Sequence, residues 1–142
     1  MPEVVALVRD VLAEFGLTFG EGSATDEQLH KLPGSYERGA FFVARDEAGA
    51  LLGTAGLYPL EPGTLELRKM YLRRQARGRG LGGQLWRACL AWAKAHGTRR
   101  IVLDTTDQMT DAIALYERLG FVRDDAQRRG ARCHRGYRLD LS

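Results

Sequence analysis

The chain is 142 residues long, 44% hydrophobic and 27% charged, with a formal net charge of +3. These are ordinary globular values, and the length suits a single domain, 1–142, that buries about two-thirds of its unfolded surface. No stretch is long and apolar enough to cross a bilayer, and Arg9 and Asp10 interrupt the first apolar run too early for a secretory signal. A cytoplasmic protein with no membrane partner is therefore expected.

Val4, Leu7, Val8, Val11, Leu12 and Phe15 repeat at helical spacing and predict an amphipathic helix ended by Gly16. Thr25 with Gln28 three residues on suggests a capped start for a short helix before Pro33. Phe41–Ala44 reads as a strand, Glu47-Ala48-Gly49 as a turn, and Leu51–Tyr58 as its hairpin partner. After the punctuation of Glu61-Pro62-Gly63, Leu65–Leu72 forms the next strand of an antiparallel meander. Leu81, Leu85, Ala88, Cys89, Trp92 and Ala93 mark a long helix over Leu81–His96, with Gly97 at its end. Ile101–Leu103 is a short strand, joined to the preceding strand by a right-handed crossover. A helix over Thr110–Leu119 shows Ala112, Leu115, Tyr116 and Leu119 on one face, and Phe121–Arg123 and Tyr137–Leu141 supply the last strands. The expected fold is α+β, with one mixed sheet.

Cys89 and Cys133 are too few and too isolated for a disulfide framework or a zinc site, and His30, His96 and His134 share no ligand spacing. No metal is expected. Basic residues gather at Arg68, Lys69, Arg73, Arg74, Arg77 and Arg79, and again at Arg128, Arg129, Arg132, Arg135 and Arg138. No helix-turn-helix, finger or stacking motif accompanies them, so a nucleic-acid partner is not expected. The second cluster reads as a solvated face.

Between the strand ending at Leu72 and the helix opening at Leu81 lies a segment dense in both glycine and arginine, Arg73 to Gly83. Glycines let backbone approach a ligand closely, and the first N–H groups of the following helix lack intrahelical partners. The helix dipole and guanidinium charge complete a site suited to a pyrophosphate. Gly78-x-Gly80-x-x-Gly83 also satisfies a dinucleotide fingerprint, with Asp104 at the distance of a ribose-binding acid. Against an NAD(P)-dependent oxidoreductase stand the charged preceding strand, the mid-chain position of the motif and the lack of further β-α-β units.

Glu66–Leu72, then Arg77-Gly78-Arg79-Gly80-Leu81-Gly82, then Ala112–Phe121 resemble the GNAT superfamily of acetyl-CoA-dependent N-acetyltransferases, over roughly Phe41 to Phe121. The resemblance implies a GNAT-like, mainly antiparallel sheet with helices on both faces, acetyl-CoA as cosubstrate, and acetyl transfer to a primary amine of a small molecule or peptide in a ternary complex. It implies that backbone groups of Met70, Tyr71 and Leu72 pair with pantetheine. The N–H groups of Gly78, Arg79, Gly80, Leu81, Gly82 and Gly83 would cap the pyrophosphate, with Arg77 and Arg79 nearby for charge.

Tyr116 matches the family position of the acid that protonates the departing thiolate, and an ordinary phenol, with a pKa of about 10, is protonated at neutral pH. Glu66, eleven positions before Arg77, is the candidate base, with a salt bridge to Arg68 as its alternative role. Strand alternation would put Glu66, Arg68, Met70 and Leu72 on one face. Two departures from the family pattern are expected: its first strand is missing, which could leave an edge for a homodimer, and Asp104–Gln108 stand where many members carry an asparagine. Glu21, Asp26, Glu27 and Glu37, or Arg132, Arg135 and Arg138, are candidates to hold the acceptor. The competing reading is a non-catalytic acyl-CoA sensor.

Overall fold

The computed structural model describes residues 1–21 and 23–141, so Gly22, within the expected acceptor loop Gly20–Arg38, lies outside the described residues. Four helices, α1 (Pro2–Glu14), α2 (Ala24–Glu27), α3 (Leu81–Ala95) and α4 (Thr110–Arg118), accompany six strands. The strands are β1 (Ala40–Arg45), β2 (Leu51–Glu61), β3 (Thr64–Leu72), β4 (Arg100–Thr105), β5 (Val122–Arg123) and β6 (Arg135–Asp140). They form one sheet in the order β1-β2-β3-β4-β6-β5, and β3–β4 is its parallel pair. No strand precedes α1 among the described residues.

The three long helices end by one device. Gly16, Gly97 and Gly120 adopt φ of +75, +72 and +97°, a conformation that a Cβ would strain. In each case the residue after the glycine donates its N–H back into the last turn: Leu17 to Leu12, Thr98 to Ala93 and Phe121 to Tyr116, at 2.9, 3.0 and 3.1 Å. These are Schellman closures. The last one anchors the Tyr116 backbone. The expected capping box at Thr25 is not formed: Ser23 occupies the cap position without a side-chain cap bond, and its hydroxyl meets that of Thr25 at 2.9 Å. The short helix passes directly into a tight 3-10 turn over Gln28–Lys31.

Two cores lie against the sheet. Val4, Leu7, Val8, Val11 and Leu12 of α1 pack with Leu29, Tyr36, Leu51 and Met109, with Tyr58 and Tyr71 of the strands beside them. Leu85, Trp86, Cys89 and Ala93 of α3 and Ile113 and Tyr116 of α4 pack with Leu57, Leu65, Leu67 and Met70. Each fully buried leucine contributes about 1.5–3 kcal/mol relative to exposure. Trp86 and Ile113 stand in this core although the sequence stripes omit them.

The alternation expected along β3 is broken. Arg68 pairs with Gly56 and Tyr71 with Thr54, so Lys69 and Met70 together oppose Ala55. One extra residue on β3 makes a bulge, and Lys69 takes φ of +55°, uncommon for a residue other than glycine. The Thr54 hydroxyl donates to the Lys69 carbonyl at 2.6 Å and holds the kink. The phase therefore shifts by one. Met70 and Leu72 join Leu65 and Leu67 against α3, while Tyr71 packs on the α1 side instead. Glu66, Arg68, Met70 and Leu72 do not share a face.

Candidate active site

Thr64, Leu65 and Glu66 pair with Arg100, Ile101 and Val102, and there the parallel pairing of β3 with β4 stops. β3 continues from Leu67 to Leu72 while β4 turns to β6, with which it pairs through Thr105. The strands thus open into a V, and backbone groups inside it are left for another chain or ligand. Two clefts occupy the opening. One, of about 340 Å³, runs along Tyr71, Leu72, the Gly78–Gly83 loop and Leu115. The other, of about 360 Å³, lies between Glu66, Tyr116 and the 129–133 segment. They share Met70, Tyr71, Met109 and Ala112.

The first cleft has the features of an anion cradle. Gly78 and Gly80 both take φ of +78°, which only glycine adopts without strain. Gly80 is the cap residue of α3 and no side chain satisfies that helix start, so its leading N–H groups and dipole are directed to the loop. Gly82 packs closely: a Cβ there would lie 3.4 Å from Leu115 and 3.6 Å from Leu72. Arg79 is exposed beside them. The Arg77 guanidinium is already engaged, donating to both Glu14 oxygens at 3.0 and 3.1 Å and to the Leu72 carbonyl at 2.9 Å. Arg77 therefore ties the loop to the end of α1, and the Leu72 carbonyl is shared with it.

In the second cleft Glu66 sits at the vertex of the V, only 4% exposed. Its carboxylate is hydrogen-bonded to Arg68 Nε, and Arg129 Nη1 stands 3.9 Å away. Arg68 in turn donates to Gln28 at 2.9 Å and lies over the Tyr58 ring. Tyr116 is buried on the same cleft, and burial, with Tyr71, Cys133 and Asp104 nearby, pushes its phenol pKa above the ordinary range. It remains a proton donor. The Cys133 thiol on this wall is raised to about 12 by burial and by Asp104, so it is no nucleophile at neutral pH.

Asp104, the candidate ribose acid, accepts instead from the N–H groups of Arg129 and Gly130 at 2.6 and 2.7 Å. It anchors a loop, and β4 continues into an antiparallel partner rather than another β-α-β unit. Asp26, a candidate for a cationic acceptor, is fully buried; it pairs with Lys69, accepts from Arg132 at 3.0 Å and from the Gly20 N–H at 2.8 Å. Arg132 also donates to the carbonyls of Thr18 and Glu21, at 3.3 and 3.1 Å, while Arg135 pairs with Asp107 and Arg138 with Asp124. The second arginine cluster is thus largely paired rather than merely solvated. Lys69, Arg129 and Thr106 also line the second cleft; the sequence names them only within its basic clusters and the Asp104–Gln108 stretch, without a site role. The partners of Lys69 and Arg132 are 43 and 106 residues away, beyond any local pattern.

The acetyltransferase (GNAT) family model matches residues 6–121. The chain belongs to the GNAT acetyltransferase family. It is 37% identical over 126 residues to the uncharacterized N-acetyltransferase YjgM of Escherichia coli (strain K12), spanning 84% of this chain and 75% of that protein. A GNAT-family acetyltransferase from Staphylococcus aureus Mu50 superposes with a TM-score of 0.88, at 20% identity over 99% of this chain and 92% of that one. The Salmonella typhimurium protein yncA, solved with its cofactor acetyl-CoA, superposes with a TM-score of 0.73, at 18% identity over 98% and 87% of the two chains. These two likenesses carry the fold; the family carries the activity. This GNAT chain is an acetyl-CoA-dependent acyltransferase, with acetyl-CoA as cosubstrate. The residues fit that cosubstrate: an open strand edge for amides stands beside an uncapped, glycine-lined helix start for phosphates. Among the described residues no helix is long and apolar enough to cross a membrane.

Proposed function

We propose that this GNAT enzyme is an N-acetyltransferase that moves acetyl from acetyl-CoA to a primary amine of a small molecule or peptide, by direct attack in a ternary complex. The observation that carries this reading is the end of β3–β4 pairing at Glu66 and Val102, beside which a phosphate cradle and a second cleft meet at Met70 and Tyr71. Backbone groups of Met70, Tyr71 and Leu72 hold the pantetheine, and the N–H groups of Gly78 through Gly83 hold the pyrophosphate, with Arg79 adding charge and Arg77 bracing the loop. Glu66, directly or through water, takes a proton from the acceptor amine. The amine nitrogen attacks the thioester carbonyl, a backbone N–H of Tyr71 or Leu72 bears the developing oxyanion, the C–S bond breaks, and Tyr116 protonates the leaving sulfur. The products are the N-acetyl amine and the free thiol of CoA.

The test is thiol release from acetyl-CoA across a broad panel of amines, with mass detection of the acetylated product. Turnover with at least one amine, reduced about 100-fold or more in Glu66→Gln, is expected. Tight acetyl-CoA binding without any amine-dependent thiol release would instead mark an acyl-CoA sensor. The open edge of β1 among the described residues supports pairing with a second copy of the chain; sedimentation that gives only monomer at high micromolar concentration would remove that proposal.

A further inference from the structure

We infer that the acceptor is a zwitterion whose amine and carboxylate lie on the same carbon, an α-amino acid with an apolar side chain, and that Arg129 reads the carboxylate. The inference rests on the proposed N-acetyltransferase reading and deepens it. Arg68, Lys69, Arg129 and Arg132 put four cations on the wall of the second cleft, against Glu66 and Asp104 on the same wall and Asp26 behind it. Three of the cations are bound closely to carboxylates: Arg68 to Glu66, and Lys69 and Arg132 to Asp26. Arg129 is different. The carboxylate nearest its guanidinium, Glu66, is 3.9 Å away and already holds Arg68, and among the described residues that guanidinium donates only to Gln127, while the backbone N–H of Arg129 is taken by Asp104. Its side chain is 41% exposed.

Four cations against three carboxylates leave the wall with one surplus positive charge, and Arg129 is the cation there that no carboxylate holds closely, which disfavours polycationic acceptors and favours an anion. The position of that guanidinium limits where the anion sits. Glu66 and Arg129 are 3.9 Å apart, so an acceptor that touches both, through contacts of about 2.8 Å, carries its amine and its carboxylate close together. A second polar contact is available on the same wall. Thr106 is buried, 3% exposed, and its hydroxyl has no hydrogen-bond partner among the described residues. Leu12, Leu17, Tyr71 and Met109 supply an apolar wall for the side chain.

The experiment compares leucine, leucinamide and 3-methylbutylamine, and phenylalanine, phenylalaninamide and 2-phenylethylamine, with spermidine as the polycation. Wild type and Arg129→Ala are assayed, after thermal melts confirm that both fold. The N–H of residue 129 that bonds Asp104 is backbone and survives this substitution. Wild type is expected to prefer the acid over its amide by at least tenfold in kcat/KM. Arg129→Ala should erase that preference by raising KM for the acid at least tenfold, with kcat and the amide little changed. Equal use of acid and amide by wild type, preference for spermidine, or an equal loss on acid and amide in the variant would overturn the inference while leaving N-acetylation intact. No turnover with any amine would overturn both.

Discussion

The Arg77 guanidinium chelates the Glu14 carboxylate at 3.0 and 3.1 Å, joining the glycine-rich loop to the last turn of α1 across 63 residues of sequence. This position matches the leading residue of the family's loop motif, yet here the side chain works mainly as a brace. Its second contact, on the Leu72 carbonyl, fixes the strand end from which the loop departs.

Bracing predicts that Arg77→Ala and Glu14→Ala each weaken acetyl-CoA binding by about 3- to 10-fold, and that the double variant loses little more than either single one. Calorimetric titration with acetyl-CoA measures this. A Glu14→Ala variant with unchanged affinity, beside a weakened Arg77→Ala, would show that Arg77 acts through charge on the ligand instead.

Tyr116→Phe is expected to lower kcat about 100-fold with acetyl-CoA affinity kept, the usual size of a lost general acid. Burial raises the folded phenol above its ordinary pKa, so wild-type kcat should show no loss of this acid between about pH 8 and 10. Full thiol release by the phenylalanine variant would remove Tyr116 from the reaction.

Asp26 makes stability sensitive to acid. Burial alone would raise its pKa, but the Lys69 ammonium, the Gly20 N–H and Arg132 outweigh burial and hold it below the ordinary 3.8. A depressed carboxyl contributes stability that is complete above its unfolded pKa and lost as pH falls through the folded value. Wild type should therefore lose stability below about pH 4. Asp26→Asn, already weaker by about 3–5 kcal/mol because Lys69 and Arg132 lose their counter-charge, should show a flatter acid limb in urea titrations. Identical acid limbs would refute this role.

Both thiols should resist alkylation. Burial raises Cys89 and Cys133 to about 12, leaving roughly one thiolate in 10,000 at pH 8. Intact-mass spectra after an hour in iodoacetamide should show the unmodified protein, with both sites reacting promptly once urea unfolds it. Rapid native labelling at Cys133 would mean that its wall of the cleft opens.

What the sequence determined by itself is the part of the protein written in short-range chemistry. Helical periodicity in Val4–Phe15, the glycines that close α1, α3 and α4, the β1–β2–β3 meander and the Gly78–Gly83 loop all depend on neighbours within a few residues, and each stands near where the sequence puts it. Glu66 and Tyr116, read from motif context, line one cleft. Tertiary structure decided the rest, because it depends on pairings that no local pattern encodes. The bulge at Lys69 arises from the register of β3 against β2 and turns Tyr71 and Met70 to faces opposite those of simple alternation. The commitment of Asp26 to Lys69 and Arg132, of Arg77 to Glu14 and of Asp104 to the 129–130 amides likewise joins distant segments. Composition counts these charges; only the fold shows which of them are neutralised, and so leaves Arg129 facing the cleft.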